Sequence, residues 1–158
     1  MPQKPPERPN EVKLVTRNKK ARFEYFILDT VEAGLVLVGS EVKSIRDGNV
    51  NIQDAFARVE NGEVWLYNME IAKYPFANIL NHEPKRLRKL LLKKPEIRRL
   101  QAQMMEKGLT NIPLALIFRR GLAKLELGVG RGKKLFDKRE DMKKRESMRD
   151  IERASSRK

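Results

Sequence analysis

Clustered cations are the residues of this chain whose possible chemistry is clearest, because they could bind the phosphates of a polyanion. Between positions 85 and 99 the cations meet a single acid, Glu96. Leucines interleave with them, and on a helix Leu87 and Leu91 would share one face and leave the cations outward. Such concentrated charge favours a phosphate-binding surface over the solvated face of a basic protein. The cations are Lys85, Arg86, Arg88, Lys89, Lys93, Lys94, Arg98 and Arg99.

Weaker signals elsewhere could extend such a surface. The polar segment 18–22 precedes the first predicted strand, and RNA contact and ordinary surface charge explain it equally well. Glu32 could accept hydrogen bonds from base amino groups or a ribose 2′-OH, although a solvated carboxylate in a turn is the default interpretation. Two cations of a predicted short helix are ordinary surface charges unless a partner binds them. These signals come from Asn18, Lys19, Lys20, Arg22, Glu32, Lys43 and Arg46.

Aromatic side chains on predicted strands offer a second kind of contact. Tyr25, Phe56, Trp65 and Tyr67 all lie on such strands, where rings can stack on nucleic-acid bases. On a strand with one buried face, packing in the core is the more frequent role for an aromatic ring. We therefore predict that these rings lie in the core.

Residues for catalysis or metal binding are scarce. The chain has no Cys and one His, which excludes disulfides, thiolate zinc sites and histidine clusters. No nucleophile stands in a suggestive setting beside that residue, His82, and we predict a structural role for it in a turn. The glycine-rich run 128–134 lacks the spacing of a phosphate-binding loop and is interpreted as a hinge. We expect no enzymatic activity, cofactor or metal.

The overall charge points to an anionic partner. The 158 residues carry a net charge of +14, a pI near 10.2 and 35% charged side chains. Nucleic acid is the commonest such partner, and phosphate contacts would make its binding salt-dependent. A membrane surface is the rival, but the sequence shows no strongly amphipathic basic helix, membrane span or signal peptide. We expect a cytoplasmic monomer that does not bind membranes.

The apolar pattern predicts a mainly β fold. One long, bent strand or two short ones run from Phe23 to Val38, and Asn61-Gly62 joins the next two strands, 55–59 and 64–68, in a hairpin. About six strands joined by short turns favour an antiparallel β-barrel of the oligonucleotide-binding type with two or three short helices. The other predicted elements are strands at 69–74, 112–118 and 122–129 and helices at 41–46, 84–92 and 95–107.

Three segments are expected along the chain. Residues 1–17 contain four prolines and are predicted to be a flexible lead. Residues 18–130 form the predicted barrel. Residues 131–158 hold 12 Lys/Arg and 6 Asp/Glu but few large apolar side chains, so they cannot form a core of their own. Because they are rich in helix formers, we predict a tail that is disordered when free and helical on a polyanion.

Eight short motifs follow one another at family-like spacing. Each is weak alone, but the ordered set is highly specific and covers the chain from about Asn18 to its end. In this set the chain resembles the small protein B family, the partner of transfer-messenger RNA (tmRNA) in bacterial ribosome rescue. The motifs are Asn18-Lys-Lys-Ala-Arg22, Glu32-Ala-Gly34, Glu41-Val-Lys-Ser-Ile-Arg46, Asn61-Gly-Glu-Val-Trp65, Asn81-His82-x-Pro84, Arg88-Lys-Leu-Leu-Leu92, Gly132-Lys-Lys134 and Asp137-Lys-Arg139.

The resemblance implies a barrel that grips the tRNA-like part of tmRNA. It also implies a tail that becomes helical on the ribosome, where it occupies the decoding region of the small subunit and the empty mRNA channel. Family RNA-binding positions fall on Glu32, Lys89, Leu91 and Lys124. Family tail positions tied to the decoding region fall on Gly132, Lys133, Lys134, Asp137, Lys138 and Arg139.

The chain departs from the family pattern at four positions. Phe23 replaces a usual His, which removes a hydrogen bond to RNA but leaves a ring that can stack. Ala77 and Ile79 stand where the family has Gly and Arg, so a phosphate contact at position 79 is in doubt. Phe136 keeps the ring of a usual Tyr or His without its polar end.

Two other classes of function stay open from the residues alone. A structural protein of the ribosome would share the basic composition but would bind ribosomes without tmRNA. A small RNA-processing enzyme would need clustered carboxylates, a nucleophile with its base, or a cofactor loop. Incubation with tmRNA separates the enzyme from the binder, because a binder leaves the RNA unchanged.

Overall fold

The computed structural model describes residues 12–77, 80–106, 108–133 and 135–156. Within these ranges the chain forms nine strands and four helices. In chain order they are β1 Val12–Arg17, α1 Lys19–Glu24, β2 Tyr25–Leu35, α2 Gly39–Arg46, β3 Val50–Asn51, β4 Phe56–Glu60, β5 Glu63–Tyr67, β6 Glu70–Ile71, β7 Arg88–Leu91, α3 Lys94–Met104, β8 Leu109–Arg119, β9 Leu122–Gly132 and α4 Leu135–Ser156.

Six antiparallel strands close into a ring in the order β8, β4, β5, β7, β2 and β9, and β9 pairs with β8 to complete it. Strand β1 pairs with residues 115–119 of β8, and β3 pairs separately with β6. Alternate side chains of the ring point inward and form the core, with Ala33, Val64, Leu90, Leu116 and Leu125 at most 1% exposed. The prediction of a mainly β fold with several helices is therefore confirmed.

The local signals for turns and helix ends are largely confirmed. Asn61 and Gly62 both have positive φ, 52° and 74°, as a two-residue hairpin turn requires, and the turn joins β4 to β5. In α3, Pro95 occupies the first turn, and the Glu96 carboxylate accepts a hydrogen bond from the Lys93 N–H. Helix α2, predicted at 41–46, begins after Val38, whose N–H donates to Glu41.

Two segments differ from their predictions. The predicted basic helix at 84–92 is wrong, because residues 88–91 form strand β7 between β5 and β2. Within the predicted flexible lead, residues 12–17 instead form β1, while residues 1–11 lie outside the described residues. Both strands are short, and their pairing partners lie far away in sequence, so local periodicity does not reveal them.

The glycine-rich run is part of a strand, so its interpretation as a hinge is wrong for residues 128–132. Gly128, Gly130 and Gly132 all lie in β9 and pair with β2. A Cβ on Gly128 would stand 2.8 Å from a methyl carbon of Leu114, and a Cβ on Gly130 would stand 3.0 Å from the Cβ of Tyr25. Two of these glycines are therefore required for close packing rather than for flexibility.

The C-terminal segment is one helix, α4, of 22 residues. It contacts α1, which stands beside the ring. Among the residues that the structure describes, no helix is long and apolar enough to cross a membrane.

Candidate nucleic-acid interface

A row of outward-facing positions crosses five strands of the sheet. The register opposes Leu14 of β1 to Ile117 of β8, Ile117 to Lys124 of β9, Lys124 to Gly34 of β2, and Gly34 to Leu91 of β7. Directly opposed residues on paired strands share one face of the sheet. The row is on the outside because the alternating positions beside it fill the core.

The centre of this row brings together the four RNA-binding positions that the family resemblance implies. We call it the Gly34 face and define it as Glu32, Gly34, Lys89, Leu91 and Lys124. Residues two apart on a strand share a face, so Glu32 lies beside Gly34 on β2 and Lys89 beside Leu91 on β7. Leu91 is 54% exposed, which leaves an apolar side chain between two cations on a solvent-facing surface.

Gly34 lets its neighbours approach closely. A Cβ at this position would stand 3.3 Å from the Cβ of Leu91 and 3.6 Å from the ammonium nitrogen of Lys124. The absence of a side chain allows the Lys124 ammonium to lie low over β2. The Gly34 face is consequently a shallow surface with a cation at its centre, which suits a phosphate or a ribose edge better than a deep pocket would.

Exposed ion pairs flank the Gly34 face. The Lys89 ammonium lies 3.1 Å from a carboxylate oxygen of Glu63, and Arg119 Nε donates to Glu32 at 2.9 Å. All four side chains are between 39% and 46% exposed. Such pairs contribute little to stability in water, so an RNA phosphate can replace either carboxylate at small cost. Arg119 could not be found from the sequence, because it lies near Glu32 only through the pairing of strands in the ring and is 87 positions away along the chain.

Two of the predicted phosphate-binding cations donate hydrogen bonds to the buried carboxylate of Glu41: Arg88, which lies in the interior, and Arg86, whose side chain is 35% exposed. Arg88 is fully buried, with Nε donating to Glu41, Nη1 to the carbonyl of Met69 and Nη2 to the carbonyl of Pro84. Arg86 Nη2 donates to the other oxygen of Glu41 at 2.6 Å. Arg88 is therefore a structural residue that connects β7 to α2. The prediction that it faces phosphate is wrong, because the core encloses its guanidinium.

The charges of this buried cluster stabilise one another. Burial by itself raises the pKa of the Glu41 carboxyl, but hydrogen bonds from Arg86, the Val38 N–H and Arg88 outweigh it, and the pKa lies below its usual range. Burial lowers the pKa of Arg88, and Glu41 opposes that change. Removal of one partner from such a cluster would leave an uncompensated buried charge.

The segment around α1 separates into one structural residue and three exposed cations. Asn18 is 4% exposed and caps α1: its carbonyl oxygen accepts from the Ala21 N–H and its amide donates to the carbonyls of Ile52 and Pro113. Asn18 thus orients α1 and does not face a partner. The exposed cations are Lys19, Lys20 and Arg22, of which Lys20 lies near Glu24 and Asp54.

A basic groove lies between α1, β1 and α4, where the outward row ends. Its lining includes Glu126, which stands opposite Glu32 in the register, and Ile117 from the row itself. Five cations outnumber this single acid among the residues that line the groove, so its field attracts anions. The cations are Arg17, Lys19, Arg22, Arg145 and Arg149.

Three further basic positions lie on α2 and on the loop before β7. Lys43 and Arg46 are exposed on α2, and the Lys43 ammonium lies 5.5 Å from the centre of the Tyr74 ring. Lys85 is exposed in a small depression that it shares with Asp54 and Glu70. These cations are placed on the surface as expected but away from the register row of the Gly34 face.

At the start of the tail, one predicted decoding-region residue is held by the protein itself. The side chain of Lys133 is only 7% exposed, and its ammonium pairs with Asp141 and donates to the carbonyl of Arg22 at 3.2 Å. The same ammonium lies 5.0 Å from the ring centre of Phe26. Lys133 therefore sets the direction in which α4 leaves β9.

The other tail positions follow along the helix. Gly132 ends β9 and is exposed, Lys138 is half-buried and Arg139 is exposed on α4. Lys134 lies outside the described residues, and of Asp137 only the backbone is described. Further along, the Arg145 guanidinium lies 5.6 Å from the centre of the Phe23 ring, so the residue that departs from the family pattern at position 23 contacts the tail. Of the other departures, Ala77 is half-buried and Ile79 lies outside the described residues.

The single histidine is structural, as predicted. His82 is 5% exposed, with Nδ1 2.8 Å from the Ser40 hydroxyl and Nε2 2.8 Å from the carbonyl of Ile71. In the part of the chain that the structure describes, no group of three His, Cys, Asp or Glu side chains is arranged to hold a metal ion.

Three of the aromatic side chains are placed differently from the prediction of a core role. Phe56 and Tyr67 are opposed across β4 and β5, and Trp65 is opposed to Arg58 on the same two strands. The buried positions on these strands are the alternate ones, such as Ala57. All three rings are therefore half-buried on the outer face. Tyr25, in contrast, packs against the small cluster formed by Ala21, Ile112 and Leu114.

Comparison with known proteins gives a consistent result. A model of the family described as "SmpB protein" matches residues 15–157. The SsrA-binding protein of Desulforudis audaxviator is 57% identical over 143 residues, which cover 90% of this chain and 94% of that protein. The SsrA-binding protein of Gloeobacter violaceus is 57% identical over 145 residues, covering 92% and 95%.

Solved structures agree with the sequence comparison. A chain from the structure described as "tmRNA-SmpB: a journey to the center of the bacterial ribosome" is 50% identical, covers 76% of this chain and 85% of its own length, and superposes with a TM-score of 0.65. The shared strand ring and the family match over nearly the whole sequence lead to one conclusion: the chain belongs to the SmpB family.

Proposed function

We propose that this protein binds the tRNA-like part of tmRNA and delivers it to stalled ribosomes in the bacterial cytoplasm, where trans-translation rescues them. The observation that carries the proposal is the Gly34 face, where Glu32, Lys89, Leu91 and Lys124 meet on the outside of one ring in a chain of the SmpB family. Exposed cations around an apolar side chain suit the backbone and open bases of a folded RNA.

The strand ring serves as a barrel of the oligonucleotide-binding type in this proposal. The outer row from Leu14 to Leu91 follows strands around the ring, and the basic groove continues it at the tail end. RNA held along this path meets Lys124 at the centre and the groove cations at one edge. Lysine and arginine contacts to phosphate fix the orientation of the RNA without reading its sequence.

The tail has a separate task on the ribosome. Helix α4, at 22 residues, is roughly 33 Å long at about 1.5 Å per residue. We propose that the free tail is loosely held, that it enters the decoding region and the empty mRNA channel as a helix, and that Lys134, Lys138 and Arg139 meet ribosomal RNA there. The tail as a whole, residues 131–158, holds 12 Lys/Arg and 6 Asp/Glu, and this net positive charge suits a path lined with phosphate.

The test removes the tail and leaves the ring whole. Because β9 runs to Gly132 and the Lys133 N–H donates to the carbonyl of Glu24 at 2.8 Å, the chain should be cut after Lys133. We expect the shortened protein to bind the tRNA-like fragment with nearly full affinity and to fail in tagging stalled nascent chains. Full tagging activity without α4 would overturn the role of the tail.

Footprinting of tmRNA distinguishes the other classes of function. We expect protection of the tRNA-like part by both the full and the shortened protein, with the RNA recovered intact. Cleaved or modified RNA would indicate an enzyme. Stoichiometric binding to translating ribosomes in the absence of tmRNA would indicate a structural ribosomal protein. Protection should also weaken steeply as the salt concentration rises, because each phosphate contact releases counterions.

A further inference from the structure

A strip of aromatic rings and cations continues the Gly34 face around the ring on its outer side. Lys89 on β7 is opposed to Trp65 on β5, and Trp65 is opposed to Arg58 on β4. Next to this row, Phe56 and Tyr67 are opposed on the same two strands. We call Phe56, Arg58, Trp65 and Tyr67 the aromatic strip. Lys89 belongs to both surfaces and joins them.

Two rings of the strip lie parallel to each other. Phe56 and Tyr67 lie with their ring centres 5.3 Å apart and their planes 4° from parallel. The Arg58 guanidinium lies 5.3 Å from the Phe56 ring centre and 5.5 Å from that of Tyr67. Aromatic faces beside an arginine are the arrangement with which proteins bind unpaired bases, since every base has a π face and every nucleotide a phosphate.

Packing of the core does not account for the strip. The inward positions of these two strands, Ala57, Val64 and Leu66, are at most 1% exposed and already fill the core. The rings stand on the opposite face, half-exposed, where apolar area in contact with water is unfavourable. A surface of this kind marks a binding site when it adjoins another one, and here it adjoins the Gly34 face through Lys89.

Two carboxylates lie near one end of the aromatic strip and make its two ends electrostatically different. Glu63 pairs with Lys89 at 3.1 Å, and the Tyr67 hydroxyl donates to Glu60 at 2.5 Å. Both carboxylates lie at the hairpin end of β4 and β5. The two carboxylates disfavour phosphate at that end and Arg58 attracts it, which places bases over the rings with the backbone directed away from the hairpin.

We propose that the aromatic strip binds unpaired bases of the RNA that occupies the Gly34 face, through stacking on Tyr67, Phe56 and Trp65 with Arg58 at the phosphate. This inference rests on the proposed function, because it extends the same interface from β7 onto β5 and β4. It predicts that a looped or single-stranded part of the RNA, and not a duplex, lies over this part of the ring.

The chain provides its own reporter for the test, because Trp65 is its only tryptophan. The transcribed tRNA-like part of tmRNA, labelled at one end, is titrated with protein while label anisotropy and Trp65 fluorescence are recorded together. Anisotropy measures binding anywhere on the protein, and Trp65 emission measures contact at the strip. We expect both signals to change with the same apparent Kd, with Trp65 emission quenched by base stacking.

Two substitutions test stacking and charge separately. Tyr67→Leu keeps apolar volume but removes the ring, and Arg58→Gln keeps the stem but removes the cation. We expect each to weaken RNA binding roughly five- to twentyfold, the lower part of the range for loss of a stacked base. Phe76→Leu is the matched control, because Phe76 is 81% exposed on a loop away from the strip; its affinity should equal that of the unsubstituted protein. Urea midpoints by circular dichroism check that each variant is folded, and if Tyr67→Leu does not fold, Phe56→Leu takes its place.

The possible results distinguish failure of the aromatic strip from failure of the proposed function. RNA binding with unchanged Trp65 emission, and with both strip variants equal to Phe76→Leu, overturns the strip while the proposed function stands. Quenching of Trp65 with unchanged affinity in both variants also overturns it, because the RNA then passes the strip without stacking on it. If the unsubstituted protein shows no anisotropy change, the proposed function itself fails.

Discussion

The strand ring and the tail helix α4 both carry many cations, but they hold them in different ways. In the ring, Arg88 is enclosed and donates to Glu41 and to two backbone carbonyls. In the tail, Lys133 donates to the carbonyl of Arg22, and the Arg145 guanidinium lies beside the ring of Phe23. The ring therefore uses charge to fix its structure, whereas most of the described cations of the tail are exposed at the surface.

This difference explains how one basic protein can serve two partners. A surface that recognises a folded RNA must hold its side chains in place before the RNA arrives, because ordering them on binding reduces affinity. A segment that fills a channel needs reach and helix propensity more than a fixed orientation. The connection between them is short: β9 ends at Gly132, and α4 begins at Leu135.

The largest effect is expected from removing the buried cation Arg88, which should destabilise the ring and leave the tail unchanged. Arg88→Met should reduce the free energy of unfolding by about 3–5 kcal/mol, because Glu41 is then buried without one of its partners. The measurement is urea denaturation followed by circular dichroism. Lys89→Met, on the same strand but in an exposed pair with Glu63, is the matched control and should change stability by less than about 1 kcal/mol. Equal losses in the two variants would contradict the structural role of Arg88.

The close packing of β9 can be tested with two neighbouring glycines. Gly128→Ala should destabilise the protein by about 1–3 kcal/mol, because the new methyl group would overlap the buried Leu114 side chain. Gly132→Ala has open space around the new methyl group and should be neutral within about 0.5 kcal/mol. Both changes are read from urea midpoints. A hinge would give the opposite result, with Gly132, beside the tail, the more sensitive position.

The ring should also be the part of the molecule that acid weakens. The pKa of Glu41 in the folded protein lies below its ordinary value of 4.5, so the unfolded chain binds more protons there, and stability rises with pH. The stabilisation is complete above about pH 4.5 and decreases as the pH falls toward the folded pKa, with a slope of at most about 1.4 kcal/mol per pH unit from this group. In Glu41→Gln the slope just below pH 4.5 should be smaller. An unchanged slope would assign the acid sensitivity elsewhere, for example to Asp29, whose pKa is lowered by hydrogen bonding to Gln103.

The smallest effect is expected from loosening the tail. Asp141→Asn removes the carboxylate that pairs with the largely buried Lys133 ammonium. Because the Asn amide oxygen and the Arg22 carbonyl can still accept hydrogen bonds from that ammonium, the global free energy of unfolding should change by about 1 kcal/mol or less. Amide hydrogen exchange of α4 should nevertheless become faster, because the helix end loses its attachment while the ring does not. Glu146→Gln, exposed on the same helix, serves as the control. Faster exchange in the ring strands would show that tail and ring are one cooperative unit.

Much of the fold could be predicted where the signal is local. The alternation in β8 and β9, the Asn61-Gly62 hairpin and the Pro95 start of α3 depend on residues close in sequence, and each prediction is confirmed within a few residues. Strand β7 could not be predicted in the same way. Its four residues include two cations, and the buried one is acceptable in a strand only because Glu41, 47 positions away, supplies the opposite charge.

The candidate site shows the same division. Lys89 and Leu91 were noted in the basic segment, but only the resemblance to a family connected them with Lys124, because nothing in their spacing relates β7 to β9. The three meet because β2 lies between those strands and offers Gly34 at the crossing. The outward position of Trp65 and Tyr67 was likewise undecided by alternation, which separates two faces of a strand without saying which one is covered.

Sequence by itself determined the charge, the turns, the helix-forming tail and, through its ordered motifs, the family of this protein. Those properties depend on composition and on residues within a few positions of one another. Tertiary structure alone decided which cations face outward: among neighbours in one basic segment, Arg88 is buried, whereas the side chain of Lys89 is 39% exposed. The physical reason is that strand pairing alternates the two faces, and only the closure of the ring makes one of them the core.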